Sequence, residues 1–194
     1  MFQSILSCLV AAALLSPQPP PQPEPPPLLK RTSPSIALVE WGDEDDGGMC
    51  TGFAVGIVWV LTAEHCAPDG IDITVDGAPA RVVKKNGMLA LLQVESGRYR
   101  VLEVRKDRPK VGDRTSTVGF IYGMPELTIY RNVAGYCKCD FGDDENMLMD
   151  APAGPGMSGA PVLDERGKVV GIHQASKGII GFETTGKDIS EFIK

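Results

Sequence analysis

An all-β fold, sandwich or barrel, is what the sequence predicts beyond residue 35, and three observations predict it. The apolar residues there fall in short runs rich in Val, Ile, Leu and Thr, not in long stretches with a helical period. Between the runs stand turn pairs such as Gly47-Gly48, Asp76-Gly77 and Asn86-Gly87, dipeptides that accept the positive φ of tight hairpin turns. Helical spacing is confined to the end of the chain, where Ile189, Phe192 and Ile193 share one side.

The elements follow in order. Residues 1–16 carry an apolar run from 5 to 15 with no Lys or Arg ahead of it. Its length suits a secretory signal and falls short of the roughly 18 residues that span a bilayer. It predicts a signal peptide or an uncleaved hydrophobic anchor, hence a secreted, periplasmic or membrane-tethered protein. Residues 17–34 form a proline-rich linker: half of the 16 prolines stand between Pro17 and Pro27, where fixed φ and missing donors leave only an extended polyproline spacer. The dibasic pair Lys30-Arg31 closes it as a processing site or a solvated junction.

Residues 35–194 form the folded domain. Strands are predicted over 36–41, 52–62, 71–75, 80–84, 89–94, 99–104, 115–121, 127–136, 161–163, 169–174 and 178–183, each bounded by turn residues. A helix closes the chain over 188–194, with Thr185 or Asp188 as its cap. The length suffices for one domain with a substantial core or two small packed barrels. A formal net charge of -6 and a pI near 5.0 exclude nucleic acid as the main partner, because phosphate binding needs clustered cations. The nearest such cluster, 98–114, is interrupted by Glu103, Asp107 and Asp113 and reads as a solvated face.

Chemistry points to three residues. Only two histidines are present: His65 in Thr62-Ala63-Glu64-His65-Cys66, and His173 in Gly171-Ile172-His173. Between them lies Ser158, in Gly156-Met157-Ser158-Gly159-Ala160-Pro161. Imidazoles titrate nearest neutrality, so a pair of them with a glycine-flanked serine suggests acid-base and nucleophilic chemistry.

The segments Cys50-Thr51-Gly52-Phe53 and Val60 to Cys66 together resemble the histidine loop of chymotrypsin-like serine proteases, and Gly156 to Pro161 resembles their nucleophile turn. The resemblance covers 35–194. It implies two six-stranded antiparallel β-barrels with a short C-terminal helix, a Cys50–Cys66 disulfide, catalytic His65 and Ser158, and an oxyanion hole made by the N–H groups of Gly156 and Ser158. Protein or peptide is the implied substrate, with no cofactor and no metal.

At the family's aspartate position stands Met88, opening Met88-Leu89-Ala90-Leu91-Leu92. Methionine cannot hold an imidazolium, and losing that charge in a related triad costs about 10⁴-fold in turnover. Either a weak Ser-His pair remains, leaving an enzyme or a catalytically impaired binding module, or Glu64, Asp72 or Asp76 reaches in. His173 matches the pocket histidine of glutamyl endopeptidases, which implies cleavage after Glu or Gln with Ser176 as a second contact, although Ala153 replaces a helping threonine. Met157 and the absence of Ile-Val-Gly-Gly after Arg31 exclude activation by a new amino terminus.

The other cysteines are Cys8, Cys137 and Cys139. On one strand, Cys137 and Cys139 point to the same face too far apart for a mutual disulfide, and a second Cys pair for a metal is missing, so inert thiols are expected. The acidic clusters 43–46 and 143–145 are expected as solvated turns, with calcium as the alternative.

Overall fold

A computed structural model describes residues 33–42, 47–122, 124, 126–139 and 145–194. The expected signal or anchor, the linker up to residue 32, and the acidic segments 43–46 and 143–144 lie outside them. The described residues form two closed antiparallel barrels of six strands each and one short helix. The first barrel holds β1 Ile36–Trp41, β2 Gly48–Gly56, β3 Trp59–Ala63, β4 Ile73–Val75, β5 Ala78–Lys85 and β6 Leu89–Val94, in the order β1-β2-β3-β6-β5-β4. The second holds β7 Arg114–Gly119, β8 Leu127–Cys137, β9 Asn146–Met149, β10 Pro161–Leu163, β11 Val169–Lys177 and β12 Ile180–Thr185, in the order β10-β11-β12-β9-β8-β7.

The nearly continuous apolar runs have a simple cause: many strands are buried on both faces. With side chains alternating along a strand, Ala37, Val39, Val60, Ala63, Ala90 and Leu92 fill the first barrel. Their neighbours Ile36, Phe53, Leu61 and Leu89 point the other way, into a cluster shared with Val118, Leu163, Val169 and Ile172 of the second barrel. Met147, Met149, Val133, Val162 and Val170 fill the second barrel's interior. The helix α1 Gly186–Phe192 adds Ile189 and Phe192 to the shared cluster. Thr185 caps it, accepting from Asp188 N at 3.4 Å. From the opposite barrel, Lys84 Nζ donates to Phe192 O at 2.6 Å and sits over the Phe192 ring, a cation placed at a helix C-terminus.

Four expectations are corrected. Residues 52–62 are a hairpin, turning at Ile57 and Val58; the turn residues are apolar and carried no turn signal. Residues 99–104 are a connector and not a strand, with one bridge from Val104 to Val169. Leu102 N donates to Ala54 O and Arg105 N to Val169 O, so the segment is strapped to both barrels, with Leu102 as its buried residue. The strand β9 is not predicted from its sequence, because Asn-Met-Leu-Met has little β-branched character. Cys137 and Cys139 are joined as a disulfide with Cα atoms 5.4 Å apart; β8 ends at Cys137, so strand geometry does not bind Cys139.

Phe53 is fully buried where the barrels meet. Phe53→Ala is expected to cost about 3–5 kcal/mol while unfolding remains one transition, because the lost contacts belong to both barrels; urea denaturation followed by fluorescence and circular dichroism checks both points.

Candidate active site

His65 stands in a 3-10 turn, Glu64–Cys66, directly after β3. The turn is tied down from two sides. Cys66 is disulfide-bonded to Cys50 of β2, with Cα atoms 5.9 Å apart, and Glu64 N donates to Met88 O at 2.9 Å. A ring nitrogen of His65 lies within 4.8 Å of both sulfurs. That trio has the ligand types of a metal site, but both sulfurs are consumed in the disulfide and neither is a thiolate.

Ser158 stands in a turn of the second barrel between two glycines with positive φ, +93° at Gly156 and +82° at Gly159. A Cβ on Gly156 would lie 2.7 Å from Phe120 O, and one on Gly159 would lie 2.0 Å from Thr51 O. Thr51 N donates to Ser158 O at 2.9 Å, so the serine turn is bonded directly to β2 of the other barrel. Gly159 N donates to His173 O and Met157 N to Gly154 O. The N–H groups of Gly156 and Ser158 have no acceptor among the described residues.

His65 and Ser158 line one cleft of about 760 Å³, together with Glu64, Met88 and Gln174. The two expected partners are therefore brought to the same cavity from opposite barrels. They are not hydrogen-bonded to each other: Ser158 Oγ donates to Gln174 O at 3.3 Å. Met88 is half-buried and packs against the shared core. None of the sequence-near carboxylates bonds the ring. Glu64 accepts from Gly87 N, Asp76 accepts from Leu38 N and Tyr99 Oη, Asp72 is exposed, and Asp69 at the cleft pairs with Lys85 at 2.7 Å. The cleft walls strip hydration from His65, and His173 adds like-charge repulsion; both hold its pKa below 6.5.

His173 lies behind the cleft on β11 and is 2% exposed. Its Nδ1 is 3.0 Å from Glu183 Oε1, and its Nε2 is 3.5 Å from Ser176 Oγ. Ser176 in turn accepts from Ala153 N and donates to Ala153 O. Glu183 is shared: Arg131 Nη1 lies 2.8 Å from the same Oε1, and both side chains are fully buried. Arg131 also donates to Ala151 O and to Thr117 Oγ1.

The sequence reading did not identify Arg131 and Glu183. The signal was nonetheless present, because period two along β8 puts Arg131 on the inward face with Val133, and a charge at such a position needs a buried partner. Burial alone would raise the Glu183 pKa. The charges and hydrogen bonds of His173 and Arg131 outweigh it and hold the carboxyl below its ordinary value.

Among known proteins, the family model for the trypsin-like peptidase domain matches residues 50–172. The active form of the Rv3671c protease from M. tuberculosis superposes with a TM-score of 0.76 at 18% identity, over 92% of this chain and 93% of that one. Its inactive form gives 0.75 at 21%, over 91% and 98%. The serine endoprotease from Yersinia pestis gives 0.72 at 19%, over 88% and 66%. At these identities the likeness shows the fold alone. No curated protein matches the chain.

The Glu183 carboxyl yields a stability prediction. Its folded pKa is depressed, so its contribution is complete above the ordinary value of 4.5 and is lost as the pH falls through the lower folded value. Glu183→Gln leaves Arg131 buried without its counter-charge and is expected to cost about 3–5 kcal/mol at neutral pH. The gap between parent and variant should narrow below pH 4.5, as read from urea denaturation across pH.

Proposed function

The chain belongs to the trypsin-like peptidase domain family, and from that premise we propose that it is a serine endopeptidase acting on protein or peptide substrates. In this reading Ser158 attacks the peptide carbonyl. His65 takes the Oγ proton and returns it to the leaving amine, while the N–H groups of Gly156 and Ser158 hold the oxyanion. One observation carries the proposal: a histidine from one barrel and a serine from the other line one cleft, and in the turn of that serine the N–H groups of Gly156 and Ser158 have no acceptor among the described residues. The 3.3 Å contact from Ser158 Oγ to Gln174 O is long, so exchanging it for the His65 ring costs little. The lowered pKa keeps His65 neutral and able to accept a proton at neutral pH.

Met88 supports a second reading, a protease-like binding module with little turnover. Once His65 is protonated, no carboxylate among the described residues pairs with it, so the charge-separated state lacks its usual stabilisation. The two disulfides suit an oxidising compartment, which supports export with residues 1–16 as signal or anchor.

The pocket histidine supports cleavage after Glu or Gln. Facing a carboxylate, Nδ1 of His173 carries the proton, which leaves Nε2 toward Ser176. A neutral ring then accepts from a Gln side-chain amide, and a protonated ring donates to a Glu carboxylate.

Fluorophosphonate labelling separates the two readings. The parent is expected to react and Ser158→Ala to stay unlabelled, with the acid limb of the labelling rate falling below pH 6.5. Met88→Asp should accelerate labelling at least about tenfold, and a parent that never reacts is the binding module. For specificity, peptide-library cleavage at neutral pH should enrich Glu or Gln before the cut, and His173→Val should erase that preference. Enrichment of Arg, Lys or aromatic residues there removes the Glu/Gln assignment.

A further inference from the structure

Four peptide planes make up the turn from Pro155 to Gly159, and each is pinned by a hydrogen bond. Pro155 O accepts from Tyr122 N at 3.1 Å. Gly156 O accepts from Thr51 Oγ1 at 2.8 Å, and Met157 O accepts from Ala160 N at 2.9 Å. Ser158 O accepts from Thr51 N, also at 2.9 Å. In a planar trans peptide the C=O and the N–H point in opposite directions. Holding the carbonyls of Pro155 and Met157 therefore turns the N–H groups of Gly156 and Ser158 the other way, and these are the two of the turn without acceptors among the described residues.

We propose that Thr51 is a positioning residue of the first barrel that sets the oxyanion site of the second. The inference rests on the endopeptidase reading and assigns to it a residue outside the Ser-His pair. Thr51 is fully buried, and its hydroxyl bonds in both senses: it donates to Gly156 O and accepts from Phe120 N at 3.0 Å. Through Phe120 it also anchors the segment whose Tyr122 N holds Pro155 O. Tyr122 has φ of 49°, a left-handed conformation that a tyrosine keeps only where its surroundings enforce it. Gly156, at φ +93°, has the widest backbone freedom of any residue type, so its own conformation cannot hold the flanking planes. Thr51 holds one of them by its side chain. Gly119 leaves the space that this side chain occupies: a Cβ there would lie 2.5 Å from Thr51 Oγ1 and 2.9 Å from Cγ2.

The test compares Thr51→Val, which keeps the shape and removes the hydroxyl, with Thr51→Ser, which keeps the hydroxyl, in the full chain. Thr51→Val should lower kcat roughly tenfold to a hundredfold, less than the 10²–10³-fold loss on deleting an oxyanion donor outright. KM should stay within about twofold. A peptide boronic acid, which forms the charged tetrahedral adduct, should lose affinity in proportion to kcat, while a non-hydrolysable substrate peptide binds as before. Thr51→Ser should restore kcat. If the valine variant does not fold, as judged by its melting transition, Thr51→Ala takes its place with the same expectations. A folded variant without the hydroxyl that keeps the parent kcat, or that changes only KM, overturns the assignment, as does a serine variant equally impaired. A parent that neither labels nor cleaves overturns the endopeptidase reading itself, and the role of Thr51 with it.

Discussion

The contact between β2 and the turn of Ser158 is the constraint on which the rest of the molecule depends. Thr51 N bonds Ser158 O, Thr51 Oγ1 bonds Gly156 O, and Thr51 O accepts from Thr62 Oγ1 on β3. Gly159 fits into that seam only because it lacks a Cβ. These are buried polar groups, and leaving any one unpaired costs about 1–3 kcal/mol. The apolar cluster beneath them is indifferent to small slips of one barrel past the other; the hydrogen bonds are not. Packing holds the barrels together, and the seam sets their register. Through that register His65, one turn beyond β3, comes to share a cleft with Ser158.

Two histidines and one well-placed carboxylate make an unusual distribution of charge. The carboxylate that binds an imidazole here is Glu183, and it serves His173. His65 has Met88 where the family carries an acid, with Glu64 bonded to Gly87 N and Asp69 to Lys85. The two rings also repel each other once both are charged. Field and hydration act in the same direction on His65, favouring the neutral ring. A neutral imidazole is a competent proton acceptor, but the imidazolium it would become on taking a proton has no carboxylate partner among the described residues, so in the proposed reaction the burden falls on the charged intermediate and not on the resting state.

The fold was legible from patterns that burial on both faces of a strand imposes, and the two barrels from motifs at 50–66 and 156–161. The same motifs located His65, Ser158, Gly156 and the Cys50–Cys66 link. Beyond them the local signals are weaker. An apolar turn at 57–58 reads as continued strand because nothing in Ile-Val marks a reversal. The connector at 99–104 mimics a strand because its exposure alternates like one, with Leu102 buried between exposed Val101 and Glu103, and Asn-Met-Leu-Met hides a strand in residues without β preference. Arg131 and Glu183 look locally like solvated charges on exposed strand faces. Only the register pairing His173 with Glu183, and the closure that sets β8 beside β9 and β9 beside β12, turn three separated polar residues into one cluster.

That cluster is a costly thing to bury. Two ions taken from water lose several kcal/mol each, and their attraction offsets this only if the remaining donors and acceptors are also satisfied. Here Arg131 Nε and Glu183 Oε2 have no hydrogen-bond partner among the described residues, so the pair is a poor source of stability compared with an apolar replacement of equal volume. What it does supply is orientation. Arg131 is held by Ala151 O and Thr117 Oγ1 as well as by Glu183, and Glu183 fixes which nitrogen of His173 carries the proton. A neutral pocket of the same shape would leave that ring free to flip and to exchange tautomers. The ion pair therefore holds one face of His173 constant, and the opposite nitrogen is left toward Ser176.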